Sequence, residues 1–165
     1  MTGLRVVRES EASHALCPTC GSKIDLSVVG TRWKVRQPSD VADHLMVQMR
    51  DLPREELHVL LLDVKCVVMS QERIYQGNVS TSVVRIAELF RDAVHRHASG
   101  VILVHNHPSG DPTPSPDDLH LTAEAAAAGR LLQIALLDHL IVAGDRFVSL
   151  RAQGVTFDNL AGVRS

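Results

Sequence analysis

The stretch that decides the reading is residues 104–118, "VHNHPSGDPTPSPDD", which packs two histidines, three aspartates and five Pro or Gly residues into one short segment. It follows the β-branched run "VILV", which predicts a short buried strand ending at the histidines. Strand side chains alternate between faces, so His105 and His107, two residues apart, project from the same side and can chelate one ion. The "HRH" at 95–97 makes a useful contrast, because it falls in a helical pattern. Two residues along a helix is a rotation of roughly 200°. His95 and His97 are therefore expected to point apart, one exposed and one on the core face.

A catalytic zinc site takes three protein ligands and leaves one position open. Ser115 followed by Pro116 has the signature of a helix start, with Pro at the first position and Asp118 at the third, a variant of the capping box. In one reading Ser115 only caps, and Asp117 and Asp118 only answer the positive end of the helix dipole. In the other, the Pro- and Gly-rich "PSGDPTP" loop holds strand end and helix start together, so that the cap delivers an acid beside the histidines. Glu55 and Glu56, at the entrance of the first strand, are candidates for a carboxylate base. His58, His120 and the Asp138-His139 pair are candidates for orienting a ligand.

Around this stretch the chain reads as an α/β domain. Pro38 marks a boundary near residues 36–39, which divides an N-terminal segment, 1–37, from a domain over 38–165. Ser39 is a cap for a helix whose Val41, Leu45, Met46 and Met49 share a face, ending near Pro53. "ELHVLLLDVKCVVM" predicts two buried strands broken near Asp63 to Lys65, with Cys66 as a buried small hydrophobe, and "ERIYQG" a further strand closed by a turn at Gly77 and Asn78. Ser80 to Ser82 offers a cap for a second helix with Val83, Ile86, Ala87, Phe90, Ala93, Val94 and His97 on its inner face, stopped at Gly100. "DDLHLTAEAAAAGR" is a third helix ending at Gly129, and "LQIALLDHLIV" and "FVSL" are strands joined by the turn "AGD". Together these give a mixed central sheet flanked by helices.

Composition narrows the function classes. The 165 residues are 45% hydrophobic and 22% charged, as in soluble globular domains. With 17 Lys plus Arg against 19 Asp plus Glu, and only three Phe, one Tyr and one Trp, the chain lacks both the basic excess and the stacking platforms of a dedicated nucleic-acid binder. The cluster "TRWKVR" around Trp33 reads as a solvated face. No apolar run approaches the ~20 residues that span a bilayer. The start "MTGLRVVRES" lacks a secretory layout, and three cysteines suit a reducing compartment, so a cytoplasmic location is expected and no membrane association.

His105-Asn106-His107-Pro108, six further residues, then Ser115-Pro116-Asp117-Asp118 resembles the HxHPx6SxxD core of JAB/MPN+ metalloproteases, and "HNHPSGDPTPS" is similar to the RadC-like branch in particular. The resemblance runs through "GNVSTSVVRIAELFRDAV" and "LLDHLIV", over about residues 38 to 157. It implies a cytidine-deaminase-like α/β fold and one catalytic zinc held by His105, His107 and Asp118. It implies further that Ser115 steadies an oxyanion, that Glu55 is the general base with Glu56 in reserve, and that zinc-bound water attacks a peptide or isopeptide carbonyl. The substrate would be a protein or peptide, and a homo-oligomer is allowed. Asn106 stands where the deubiquitinating branch has Ser or Thr. The usual N-terminal helix-hairpin-helix of RadC-like proteins is replaced here by a small appendage with "CPTCG". Its Cys17 and Cys20 are either half of a second, structural zinc site completed by His14 or another chain, or a free thiol pair. Two other functions stay open: a DNA-repair-associated factor that binds or cuts nucleic acid, and a non-catalytic module that uses zinc as a staple.

Overall fold

Leu- and Val-rich runs become strands and the three- and four-residue apolar spacings become helices in a computed structural model that describes residues 14–16, 23–25, 33–77 and 84–157. The chain divides into two units, Met1–Trp33 and Lys34–Ser165. In the first, β1 (His14–Leu16) pairs antiparallel with β2 (Lys23–Asp25). Cys17 and Cys20, expected as either half of a structural zinc site or a free thiol pair, lie outside the described residues.

The second unit contains α1 (Pro38–Met49), β3 (Glu56–Leu62), β4 (Val68–Gln76), α2 (Ile86–His95), β5 (Gly100–Asn106), α3 (Pro116–Leu132), β6 (Ala135–Ala143) and β7 (Arg146–Ser149). Its sheet has the order β4-β3-β5-β6-β7, antiparallel except for the β5–β6 pair, which is parallel and joined through α3. This is the expected mixed sheet with helices.

Alternation along the central strands sorts the core. Leu57, Val59 and Leu61 of β3, Val101 and Leu103 of β5 and Ile141 of β6 pack with Leu89, Phe90 and Ala93 of α2 and Leu121, Ala125 and Ala126 of α3. The intervening residues face the other way, where Leu62, Ile102 and Leu140 line a cavity with Val41 of α1, a helix that packs on β6. Helices thus cover both faces of the sheet, and burial at this density supplies most of the driving force for folding.

Several local expectations are corrected. α1 starts at Pro38, one residue ahead of the expected Ser39 cap, because Asp40 reaches back to accept the backbone N–H groups of Arg36 (2.7 Å) and Gln37 (3.2 Å). β4 is one strand where two were expected, since it pairs with β3 from Val68 to Gln76 and absorbs the mismatch in irregularities at Leu57/His58 and Leu61/Leu62. Cys66 is only half-buried and occupies the β3–β4 turn with φ 58°. The Ser80–Ser82 cap lies outside the described residues, and α2 buries Leu89, Phe90 and Ala93 while Ala87 and Val94 face outward. It ends at His95, before Gly100, because His97 turns left-handed at φ 55°, and both histidines of "HRH" are exposed. α3 runs past Gly129 to Leu132 and ends on Gln133 at φ 58°.

Gly129 therefore sits inside the helix for a packing reason. A β-carbon there would lie 2.5 Å from the carbonyl oxygen of Ile134, where the chain returns to enter β6. Helix propensity favours Ala over Gly by about 1 kcal/mol. The obstructing atom is backbone, so overpacking should win: Gly129→Ala is expected to destabilise the domain by about 1–3 kcal/mol, read as a lowered urea midpoint.

Candidate metal centre

Three elements meet at the carboxyl end of β5. His105 is the sixth residue of that strand and fully buried. His107 follows immediately, its backbone N–H bonded to Val142 of β6 (2.8 Å), so the extended course that puts both rings on one side continues past the strand. The next residues turn sharply, with Gly110 at φ 80° bonded to the His107 carbonyl. The loop is pinned by Thr113, whose N–H and hydroxyl both donate to Asp111, and by Arg146, which donates to the Gly110 carbonyl at 2.6 Å. The Thr113 bonds hold the Asp111 carboxyl below its usual range.

The loop delivers the start of α3. Ser115 caps it, its hydroxyl accepting the Asp118 N–H (3.1 Å), while Asp118 Oδ2 accepts the Ser115 N–H (2.7 Å) and hydroxyl (2.6 Å). The capping box and the acid beside the histidines are thus the same structure. Asp118 is 2% exposed, with Oδ1 3.1 Å from His105 Nε2 and Oδ2 3.5 Å from His107 Nε2. The two Nε2 atoms are 2.9 Å apart. Burial pushes the Asp118 carboxyl up, but the two imidazoles and Ser115 outweigh it and hold its pKa far below the ordinary carboxylate range.

These spacings fit a metal ion. Ligands about 2.0–2.2 Å from a tetrahedral centre lie roughly 3.3–3.5 Å from one another, close to the three separations here. His107 Nδ1 is 2.8 Å from the Asp111 carbonyl oxygen, which can only accept, so Nδ1 carries the proton and the neutral ring turns a bare Nε2 inward. Bare nitrogens against a carboxylate need positive charge among them. A proton on His107 answers that need, and the Asp118 hydrogen bond raises its pKa. A divalent cation would answer it as well. Among the described residues, His105, His107 and Asp118 are the one group of His, Cys, Asp or Glu side chains placed to share an ion.

The glutamates separate by face. Leu57 of β3 lies opposite His105, so alternation puts Glu55 on the side of the two histidines. It is half-buried, and its charge contributes to the raised His107 pKa. Glu56 faces away, bonded to His58 Nε2 (2.9 Å) and Arg73 (3.2 Å). Of the remaining candidates, His58 belongs to that outward cluster, His120 lies half-exposed beside Glu124, and Asp138 accepts from Ser149 and two backbone N–H groups on the far face. His139 alone reaches the centre, its Nε2 2.8 Å from His105 Nδ1; burial first and the neighbouring His105 second push its pKa well down.

Two residues escape a reading of the sequence. Asn106 turns to the opposite face from the histidines that flank it, accepting the Glu56 N–H (2.8 Å) and donating to the Arg54 carbonyl (3.0 Å). Thr122, fully buried, bridges the Asp118 carbonyl and His139, both at 2.6 Å. Its place one turn after Asp118 is visible as spacing; its partner across the sheet is not.

Comparison with known proteins identifies the family. The family model for the RadC-like JAB domain matches residues 35–155. A protein of Chloroflexus aggregans named UPF0758 protein is 45% identical over 157 residues, covering 95% of this chain and 68% of its own length. Its namesake in Chloroflexus aurantiacus is 40% identical over 156 residues, 94% of this chain and 67% of the relative. One from Geobacillus thermodenitrificans is 37% identical over 155 residues, 93% and 69%. The chain thus spans about two thirds of the length of these relatives. With the family model matched over residues 35–155 and relatives this close, the chain belongs to the RadC-like JAB domain family.

Proposed function

We propose that this chain is a zinc-dependent hydrolase, a metallopeptidase that cleaves a peptide or isopeptide bond in a protein or peptide substrate. The observation that carries the proposal is the convergence of His105 Nε2, His107 Nε2 and the Asp118 carboxylate at tetrahedral spacing, with Glu55 on the same face and His107 at the edge of the buried region. Held by His105, His107 and Asp118, a zinc ion would supply Lewis acidity toward the scissile carbonyl and an acidified water.

The chain's own residues do the rest. The Glu55 carboxylate takes the proton of the attacking water as the new C–O bond forms, then passes it to the leaving nitrogen as the C–N bond breaks. Ser115 steadies the developing oxyanion. Its hydroxyl hydrogen is directed at Asp118 Oδ2, so that role requires the hydrogen to turn toward substrate. Glu56 is a poor choice of base because Arg73 and His58 hold it on the far side of the sheet.

Glu55→Gln is expected to leave zinc content and thermal midpoint nearly unchanged while abolishing peptide cleavage, and Glu56→Gln to retain cleavage. A Glu55→Gln protein as active as its parent would remove Glu55 as base. Zinc content by elemental analysis should be about one per chain for this centre; about two would bring in Cys17 and Cys20.

Zinc must displace the proton that Asp118 stabilises on His107. Below the raised pKa, which lies above 6.5, proton and metal compete, and apparent affinity should fall by up to about tenfold per pH unit. Above it the competition ends and affinity levels off. The metal-free fold behaves in the opposite sense: stabilisation from the His107–Asp118 pair is full below about pH 6.5 and fades as pH rises through the raised value. Competition titrations with a chromophoric chelator between pH 6 and 8, alongside thermal melts of the metal-free protein, check both.

A further inference from the structure

The position of every proton between Asp118 and His105 can be read from what each neighbour is able to accept. The carbonyl oxygen of Asp118 cannot donate, so Thr122 Oγ1, 2.6 Å away, gives it the hydroxyl hydrogen. Thr122 then has only lone pairs to offer His139 Nδ1, also at 2.6 Å, so that nitrogen carries a hydrogen and donates. His139 is fully buried, packed between β5 and α3 in a place suited to a neutral ring. Its Nε2 is therefore bare and accepts from His105 Nδ1 at 2.8 Å. The hydrogen of His105 is thereby fixed on Nδ1, and its Nε2 is left bare toward His107 and Asp118.

We propose that Thr122 and His139 are positioning residues that lock His105 in the metal-binding tautomer, through a one-way chain of hydrogen bonds anchored on the main chain of Asp118. The proposal rests on His105 and Asp118 acting as metal ligands. The chain of bonds begins on one ligand and ends on another, so the two are oriented as a unit. A metal-bound imidazole commonly donates its other N–H to a carboxylate, a carbonyl or water; here the acceptor is a second imidazole that is itself directional and has to be set by Thr122. Without the Thr122 hydroxyl, nothing holds the His139 hydrogen on Nδ1. It can move to Nε2, which would drive the hydrogen of His105 onto the nitrogen that must face the ion. The geometry of Thr122 is local and robust, since a threonine hydroxyl bonding the carbonyl four residues earlier is an ordinary helical arrangement.

The test uses the full chain. In nitrogen-detected imidazole spectra of the metal-free parent, His105 should show a protonated Nδ1 and a bare Nε2, and His139 the same. Thr122→Val keeps the shape of the side chain and should shift His105 toward the Nε2–H form, with zinc affinity about 10–100-fold weaker. Thr122→Ser restores the hydroxyl and should restore both. A bare Nδ1 on His105 in the parent overturns the proposal, and this outcome needs no variant to fold. So does a folded Thr122→Val protein with unaltered His105 signals and parental zinc affinity. These readouts are independent of catalysis: a parent that shows the expected tautomers and binds zinc but cleaves no peptide removes the peptidase function and supports the relay.

Discussion

The structure is organised around a buried negative charge. An ionised carboxylate taken out of water is costly unless it is paired and hydrogen-bonded. Asp118, 2% exposed, meets part of that requirement with two bonds from Ser115 and the amino end of α3, and the rest with a proton on His107 or a cation shared with the two imidazoles. These partners come from different elements, so the acid can be buried only if helix start, loop and strand end arrive together. The turn at Gly110, the Thr113–Asp111 bonds and the clamp from Arg146 serve that convergence. The many Pro and Gly residues of the loop are the means by which the helix cap and the histidine pair reach one point.

Features that depend on neighbours along the chain are legible in the amino-acid sequence. Alternation places His105 and His107 on one side, and Ser115 with Asp118 announces a cap. What depends on register is not legible there. Whether Glu55 or Glu56 faces the histidines follows from Leu57 lying opposite His105, a pairing between distant parts of the chain that no local pattern encodes. His139 stands only among several candidates, because its contact with His105 needs the parallel β5–β6 pairing. The inner face of α2 misleads because Ala87 and Val94 are apolar enough to imitate a buried stripe, although Leu89 occupies it. Edge strand β4 looks like two strands because its polar middle, half-exposed beside β3, breaks the apolar run.

The sheet also divides polar residues by task. On the α3 side, His105, His139 and Thr122 form a directional series around Asp118. On the α1 side, Glu56 is closed off by His58 and Arg73, and Asp138 by Ser149 and the backbone of His139 and Arg151. Residue types alone do not distinguish the two groups. On the far side these carboxylates are answered by fixed protein partners, whereas on the near side ring nitrogens and a carboxylate oxygen converge closely enough to share one ion.

Asn106 carries a consequence for the timing of assembly. Its carboxamide fastens Arg54 and Glu56, and so the segment that bears Glu55, to the end of β5. Synthesis proceeds from the amino end, which means that residues 54–56 leave the ribosome well ahead of their fastener. The segment that bears Glu55 is thus fastened only once β5 has docked beside β3, which makes this end of β3 one of the later parts of the sheet to be secured as the chain emerges.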